Sequence, residues 1–136
     1  MSWVPGEVPD YEFPFHHIMN GAFANLDLWV RKGTPPPRAE RLATTGEYPN
    51  VKFALDDYDN VKGGIRTPYV DVPIAVYKKN GKVIPFNNRL LKKLYSTHED
   101  YVNKVTKCTD TLLKERWVTE VDSEAIKEQA RKAHIP

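Results

Sequence analysis

The chain has 136 residues, of which 40% are hydrophobic and 28% are charged, as is usual for one globular domain or for a piece of a larger one. A net charge of +2 without a long basic run argues against a nucleic-acid partner. The single cysteine excludes an internal disulfide, and no apolar stretch approaches the ~20 residues of a membrane span, so we expect no membrane partner.

The N-terminal part predicts an extended lead-in and a long helix. Residues 1–14 contain prolines and several aromatic residues but no signal-peptide pattern, which leaves the cellular compartment open. Residues 15–33 predict a helix, because apolar residues recur at three- and four-residue spacing. These residues are Phe15, Ile18, Met19, Ala22, Phe23, Leu26, Trp29 and Val30. Gly33 is placed for a left-handed cap, and the wide apolar face is typical of a helix that packs on a sheet or in a crowded core.

Residues 34–86 predict a proline-rich connector with short strands and a hairpin. Apolar residues at positions 51, 53 and 55 predict one strand. The aspartate-rich residues 56–60 predict a solvated turn. A calcium loop starting there would need glycine and glutamate where the chain has Val61 and Thr67.

The strongest strand pattern covers residues 69–77. Pro73 cannot donate a hydrogen bond to a neighbouring strand, so this strand lies at an edge or contains a bulge. Asn80 and Gly81 then predict a two-residue turn that returns the chain through residues 82–84.

Residues 87–136 predict a helical tail. Leu90, Leu91 and Leu94 indicate a short helix, and Thr97 with Asp100 resembles a capping box that opens the next one. A final helix follows, with residue 122 or 123 as its cap. The predicted fold class is therefore α+β, with about four helices, a small antiparallel sheet and long proline-rich connectors, all in one domain or domain fragment spanning 1–136.

No self-contained catalytic site is predicted. The three serines have no Gly-x-Ser-x-Gly setting, and Cys108 lies on an apolar helical stripe that favours an inert thiol. Adjacent His16 and His17 lack the spacing of a local zinc site, so we predict neither a metal nor a cofactor. We expect one histidine to pack at the helix start and the other to meet solvent. A role as ligand or base is the less favoured alternative.

Residues 63–73 have the sequence GGIRTPYVDVP, which specifies one backbone path. The two glycines allow backbone angles closed to other residues, and each proline fixes its own φ and restrains the residue before it. Loops of defined shape that carry charges are frequent functional sites. Arg66, Thr67 and Asp71 are therefore candidate binding residues. The favoured interpretation, however, is a rigid structural crossover in which Arg66 and Asp71 pair with each other or with neighbouring groups.

Three segments of the chain, within residues 25–36, 63–73 and 85–102, together resemble the alpha/beta-hydrolase-domain family of large proteins with mostly undefined substrates. The first is NLDLWVRKGTPP at residues 25–36, and the second is the quite specific block GGIRTPYVDVP at residues 63–73. The third is a spaced pattern of Pro85, Phe86, Leu90, Leu94, Tyr95, Tyr101 and Val102. Together the segments cover about residues 15–126, in the family's order.

The resemblance implies a C-terminal position in a much longer protein, whose nucleophile and catalytic histidine lie upstream. The family's catalytic triad maps onto no residue here, and His16 and His17 follow the position expected for its histidine. The first expectation is therefore a C-terminal portion that is not catalytically self-sufficient and completes or covers a hydrolase site, with the N-terminal hydrolase core as its partner. The alternatives are a freestanding binding domain, and, less favoured, a small hydrolase built around His16 or His17. A homo-oligomer also remains open.

Overall fold

The computed structural model describes residues 13–78 and 81–136. Its helices are α1 (Phe15–Lys32), α2 (Pro68–Asp71), α3 (Asn88–Leu94), α4 (His98–Lys114) and α5 (Glu120–Lys132). Its strands are β1 (Thr44–Thr45), β2 (Lys52–Phe53), β3 (Ala75–Tyr77) and β4 (Val83–Pro85). The fold is α+β, as the sequence predicts, and none of the helices in the described ranges is long and apolar enough to cross a membrane.

Helix α1 ends as its sequence predicts. Gly33 has a positive φ of 69°, and its N–H donates a hydrogen bond to the carbonyl oxygen of Trp29. A residue without a β-carbon adopts this left-handed conformation at little cost. The chain then leaves the helix through residues 34–42, an extended and largely exposed connector.

Within the described residues, the strands form two separate antiparallel pairs. In the first, Thr44 pairs with Phe53, and in the second, Val76 pairs with Ile84. The second pair confirms the predicted hairpin, although Asn80 of its turn lies outside the described residues. The strand predicted around residues 51–55 is present in short form as β2.

The strand predicted over residues 69–77 is wrong in its first half, where the chain forms the one-turn helix α2. Thr67 is extended and Pro68 occupies the first helical position, which suits its fixed φ. Its carbonyl oxygen accepts the N–H of Val72. Tyr69 and Val72, three residues apart, then both pack on the core, whereas in a strand they would face opposite sides.

The core lies between α4, α5 and the elements that cover them. Its buried apolar residues are Val72, Leu91, Tyr95, Tyr101, Val105, Leu112, Val118, Ile126, Ala130 and Ile135. The rings of Tyr95 and Tyr101 meet edge to face at 5.0 Å, and the Tyr95 hydroxyl donates to the Pro73 carbonyl oxygen at 2.8 Å. The residues after α2 are thereby fixed to the helical tail.

The two long helices of the tail begin at threonine caps. The predicted capping box of α4 is confirmed: Thr97 Oγ1 accepts from the N–H of Asp100, whose carboxylate accepts from the N–H of Ser96. In α5 the predicted cap at residue 122 or 123 is wrong, because Thr119 is the cap and accepts from the N–H of Asp122. Asp122 therefore lies inside the first turn of the helix.

Candidate functional site

Helix α1 presents a polar stripe to the rest of the domain. His17, Gly21 and Asn25, spaced by one helical turn, are its buried residues. Gly21 lies so close to the segment between α4 and α5 that a β-carbon would overlap the carbonyl oxygen of Trp117. Asn25 Nδ2 donates to the carbonyl oxygen of Arg116 at 2.7 Å. Polar bonds and close backbone contact at these residues, together with Ile18, which packs on the core, hold α1 in place.

The opposite side of α1 is apolar and exposed. Its large side chains are between 51% and 79% exposed: Phe15, Met19, Phe23, Leu26, Trp29 and Val30. We call these six residues the α1 apolar face. A surface helix ordinarily buries such a stripe, and large exposed apolar patches mark interaction sites. The expected packing of this face on a sheet is therefore not provided by the described part of the chain.

A hydrogen-bonded network joins the start of α1 to the start of α5. His17 Nδ1 lies 2.6 Å from Asp122 Oδ1, and both side chains are buried. The other carboxylate oxygen accepts from Asn20 Nδ2 at 3.0 Å and from Thr119 Oγ1 at 2.7 Å. Burial alone would raise the pKa of Asp122, but the hydrogen bonds from His17, Thr119 and Asn20 outweigh it and lower this pKa. Because the carboxylate is then an acceptor, Nδ1 of His17 carries the proton.

Aromatic contacts restrain the His17 ring. Its plane is within 6° of that of the Tyr69 ring, with the ring centres 6.4 Å apart, and the centre of the exposed His16 ring on the same helix lies 4.0 Å away. The sequence expectation of one packed and one solvent-facing histidine thus corresponds to His17 and His16 respectively.

Arg66 is the centre of a second polar cluster. Its Nε donates to Asp71 Oδ1 at 2.5 Å and its Nη2 donates to Asp56 Oδ2 at 2.8 Å. The backbone carbonyl oxygens of Val61 and Val70 accept from Nη1 and Nη2. The structure thus contains the ion pair between Arg66 and Asp71 that the favoured interpretation expected, and each nitrogen of this guanidinium has a partner.

Asp56 anchors the turn that the sequence assigned to solvent. Its Oδ1 accepts the N–H groups of Tyr58 and Asn60. Burial would raise the pKa of Asp56, yet the bonds from Arg66 and from these two N–H groups leave it below its ordinary value. Both oxygens of the Asp56 carboxylate therefore accept hydrogen bonds, one from the turn and the other from Arg66.

The Arg66 cluster borders a cleft of about 870 Å³ between the connector and α4. Arg66, Asp71 and Cys108 are among the residues that line it. Burial, with a smaller contribution from Asp71, raises the pKa of the Cys108 thiol to about 11, so the thiol is protonated at neutral pH. Thr67 is buried beside the cluster, and its Oγ1 has no hydrogen-bond partner among the described residues.

The five candidate residues fall into two places that α2 connects. Arg66, Thr67 and Asp71 lie around α2, whose Tyr69 stacks on His17, beside His16. Within the described ranges, no serine, threonine or cysteine side chain hydrogen bonds to His17, whose recorded partner is Asp122. This arrangement can orient an imidazole but does not supply a nucleophile to it.

Sequence reasoning missed Asp122, Asn20 and Thr119. The sequence analysis predicts residue 122 or 123 as a helix cap, although threonine at 119 with an acidic residue three positions later is itself a capping signal. No local spacing could have paired Asp122 with His17, which lies 105 positions away.

Comparison with known proteins finds one family, described as alpha/beta hydrolase domain, which matches residues 4–128. Searches of curated proteins and of solved structures find no match. The family match spans nearly the whole chain and agrees with the resemblance seen in residues 25–36 and 63–73. The chain belongs to the alpha/beta hydrolase domain family.

Proposed function

We propose that this chain acts as the C-terminal portion of an alpha/beta-hydrolase-domain protein, is not catalytically self-sufficient, and completes or covers a hydrolase site. The observation that carries the proposal is the α1 apolar face. Six large apolar side chains point away from the domain, and the resemblance implies that α1 corresponds to a late helix that packs on the sheet of the hydrolase core.

The energetics favour a partner for this face. Full burial of one such side chain stabilises by about 1.5–3 kcal/mol. Covering six side chains that are about half exposed would contribute on the order of 5 kcal/mol before the costs of association. The extended connector at residues 34–42, which is largely exposed, offers a second stretch of chain for the same surface.

The polar stripe of α1 also fits this arrangement. His17, Gly21 and Asn25 fix the direction of the helix on its own domain, so that the α1 apolar face is presented outward. The Arg66 cluster holds the loop at residues 63–73 in shape next to the cleft. In the proposed role, Arg66, Thr67 and Asp71 fix this loop around the completed site.

The second candidate is a freestanding, non-catalytic binding domain. The observation in its favour is a continuous apolar core between α4, α5 and α2 that the chain forms without help. This candidate predicts that the chain is monomeric and that the α1 apolar face needs no hydrolase core.

An esterase complementation assay separates the candidates. A family member lacking its region equivalent to residues 15–126 is assayed with nitrophenyl esters, alone and after addition of this chain. We expect activity in the mixture and in neither component. Activity of this chain alone that is lost in His16→Ala or His17→Ala would instead establish the independent hydrolase. A mixture that stays inactive and unassociated would favour the binding domain.

A further inference from the structure

We propose that His16, His17 and Asp122 form a binding site for a divalent metal ion of the zinc class. Each residue offers one donor atom, and the three atoms lie within 4.8 Å of one another. Two imidazole nitrogens and one carboxylate oxygen are the donor set of many zinc sites. The sequence alone predicted no metal, because two ligands are adjacent and the third belongs to α5.

The surroundings of Asp122 match those of a metal-binding carboxylate. Its Oδ2 is held by Asn20 Nδ2 and Thr119 Oγ1, which leaves Oδ1 directed at His17. Ligating carboxylates in proteins are themselves hydrogen bonded, and this outer support fixes their orientation. Asn20 and Thr119 are thus positioning residues of the proposed site.

The ion takes the place of the proton between His17 and Asp122. Nδ1 and Oδ1 are now 2.6 Å apart, with the Nδ1 proton donated to Oδ1. Metal bonds of about 2.0–2.2 Å to both atoms require them to separate to roughly 3 Å or more. The proton leaves to solvent as the metal–nitrogen bond forms, and the carboxylate keeps its charge.

His16 provides the third ligand from the solvent side. Its side chain is exposed, so it can rotate about its own bonds without disturbing the core. The Tyr69 ring stacks on the His17 ring and limits its movement. Three protein donors leave one position of a tetrahedral ion for water, as in catalytic zinc sites.

The test is a calorimetric titration of the full chain, without an affinity tag, with Zn²⁺. We expect saturable binding of one ion, weakened at least tenfold in His16→Ala. His134→Ala, which removes an exposed histidine outside the cluster, is the matched control and should bind as the unaltered chain does. Because His16 is exposed, its variant should fold normally, which circular dichroism verifies.

A second variant tests the carboxylate. Asn20→Ala leaves all three ligands in place and should weaken binding about tenfold or more through loss of outer support. The imidazole ¹⁵N chemical shifts of His16 and His17 should change on addition of Zn²⁺. Absence of one-to-one binding, or equal affinities in His16→Ala and His134→Ala, would overturn the proposal.

Discussion

Gly21 of α1 lies directly against the carbonyl oxygen of Trp117, where a β-carbon would overlap that oxygen. This contact places α1 on the segment between α4 and α5 and leaves its apolar face outside. Gly21→Ala should therefore destabilise the domain, although alanine alone would favour an exposed helix by about 1 kcal/mol. Urea unfolding measures the difference. The exposed Ala24→Gly variant is the control for helix propensity, and a stabilised Gly21→Ala variant would refute the close contact.

Asp122 should contribute more to stability than its surface counterparts. Asp122→Ala leaves His17 Nδ1 and Asn20 Nδ2 without their acceptor, and His17 is buried. Leaving a buried hydrogen-bond donor such as His17 Nδ1 without its acceptor costs about 1–3 kcal/mol. Asp110→Ala, which removes an exposed carboxylate from Lys127 while Glu124 remains as a partner, is the control and should cost less than about 1 kcal/mol. Equal shifts of the two urea midpoints would contradict this account.

The lowered pKa of Asp56 predicts a specific dependence of the domain's stability on pH. Its folded-state pKa is below the unfolded value of about 4, so its contribution is fully present above pH 4. The contribution is lost as the pH falls through the folded-state pKa, because the unfolded chain then binds the proton first. Asp56→Asn should lower the melting temperature at pH 7 and make little difference in strong acid. If the difference in melting temperature between Asp56→Asn and the unaltered chain did not shrink below pH 4, the charge of the Asp56 carboxylate would not be the cause of the stabilisation.

The loop at residues 63–73 depends on Gly63. This residue has φ of +79°, and a β-carbon there would overlap the carbonyl oxygen of Arg41. Gly33 has φ of +69° and open space around it. Both alanine variants should lose about 1–2 kcal/mol from the left-handed conformation, and Gly63→Ala should lose more because of the overlap.

Amide hydrogen exchange locates that additional loss. The Ala43 N–H donates to the Lys62 carbonyl oxygen at 2.9 Å and should lose protection in Gly63→Ala but not in Gly33→Ala. Equal protection of Ala43 in both variants would mean that the connector does not rest on this glycine.

Local patterns predicted the elements whose signals are local. Helix α1 occupies nearly its predicted range, since the apolar period and Gly33 both lie within the helix or next to it. The strand prediction for residues 69–74 is wrong because valines at alternate positions give the pattern of a strand. Pro68 instead starts a helical turn, which places Tyr69 and Val72 on the same side, against the core. The division of the chain into lead-in, helix, connector and tail stays a prediction.

The candidate site could be predicted only in part. Arg66 and Asp71 are five positions apart in one loop, so the sequence could suggest their ion pair. The bond from Arg66 to Asp56 could not be predicted, because it depends on how two turns pack together. The partner of His17 lies in another helix, and periodicity carries no information on such distant pairs. The exposure of the α1 apolar face likewise follows from tertiary packing, because the same stripe in isolation predicts burial.

Direct binding of a hydrolase core to the α1 apolar face tests the central claim most directly. Calorimetry would measure the affinity of the truncated family member for this chain, for Phe23→Glu and for Val121→Glu. Phe23 lies on the proposed surface, whereas Val121 is an even more exposed apolar residue of α5. We predict that Phe23→Glu weakens binding at least tenfold and that Val121→Glu leaves it unchanged. Equal affinity of both variants, or no binding by the unaltered chain, would contradict the account.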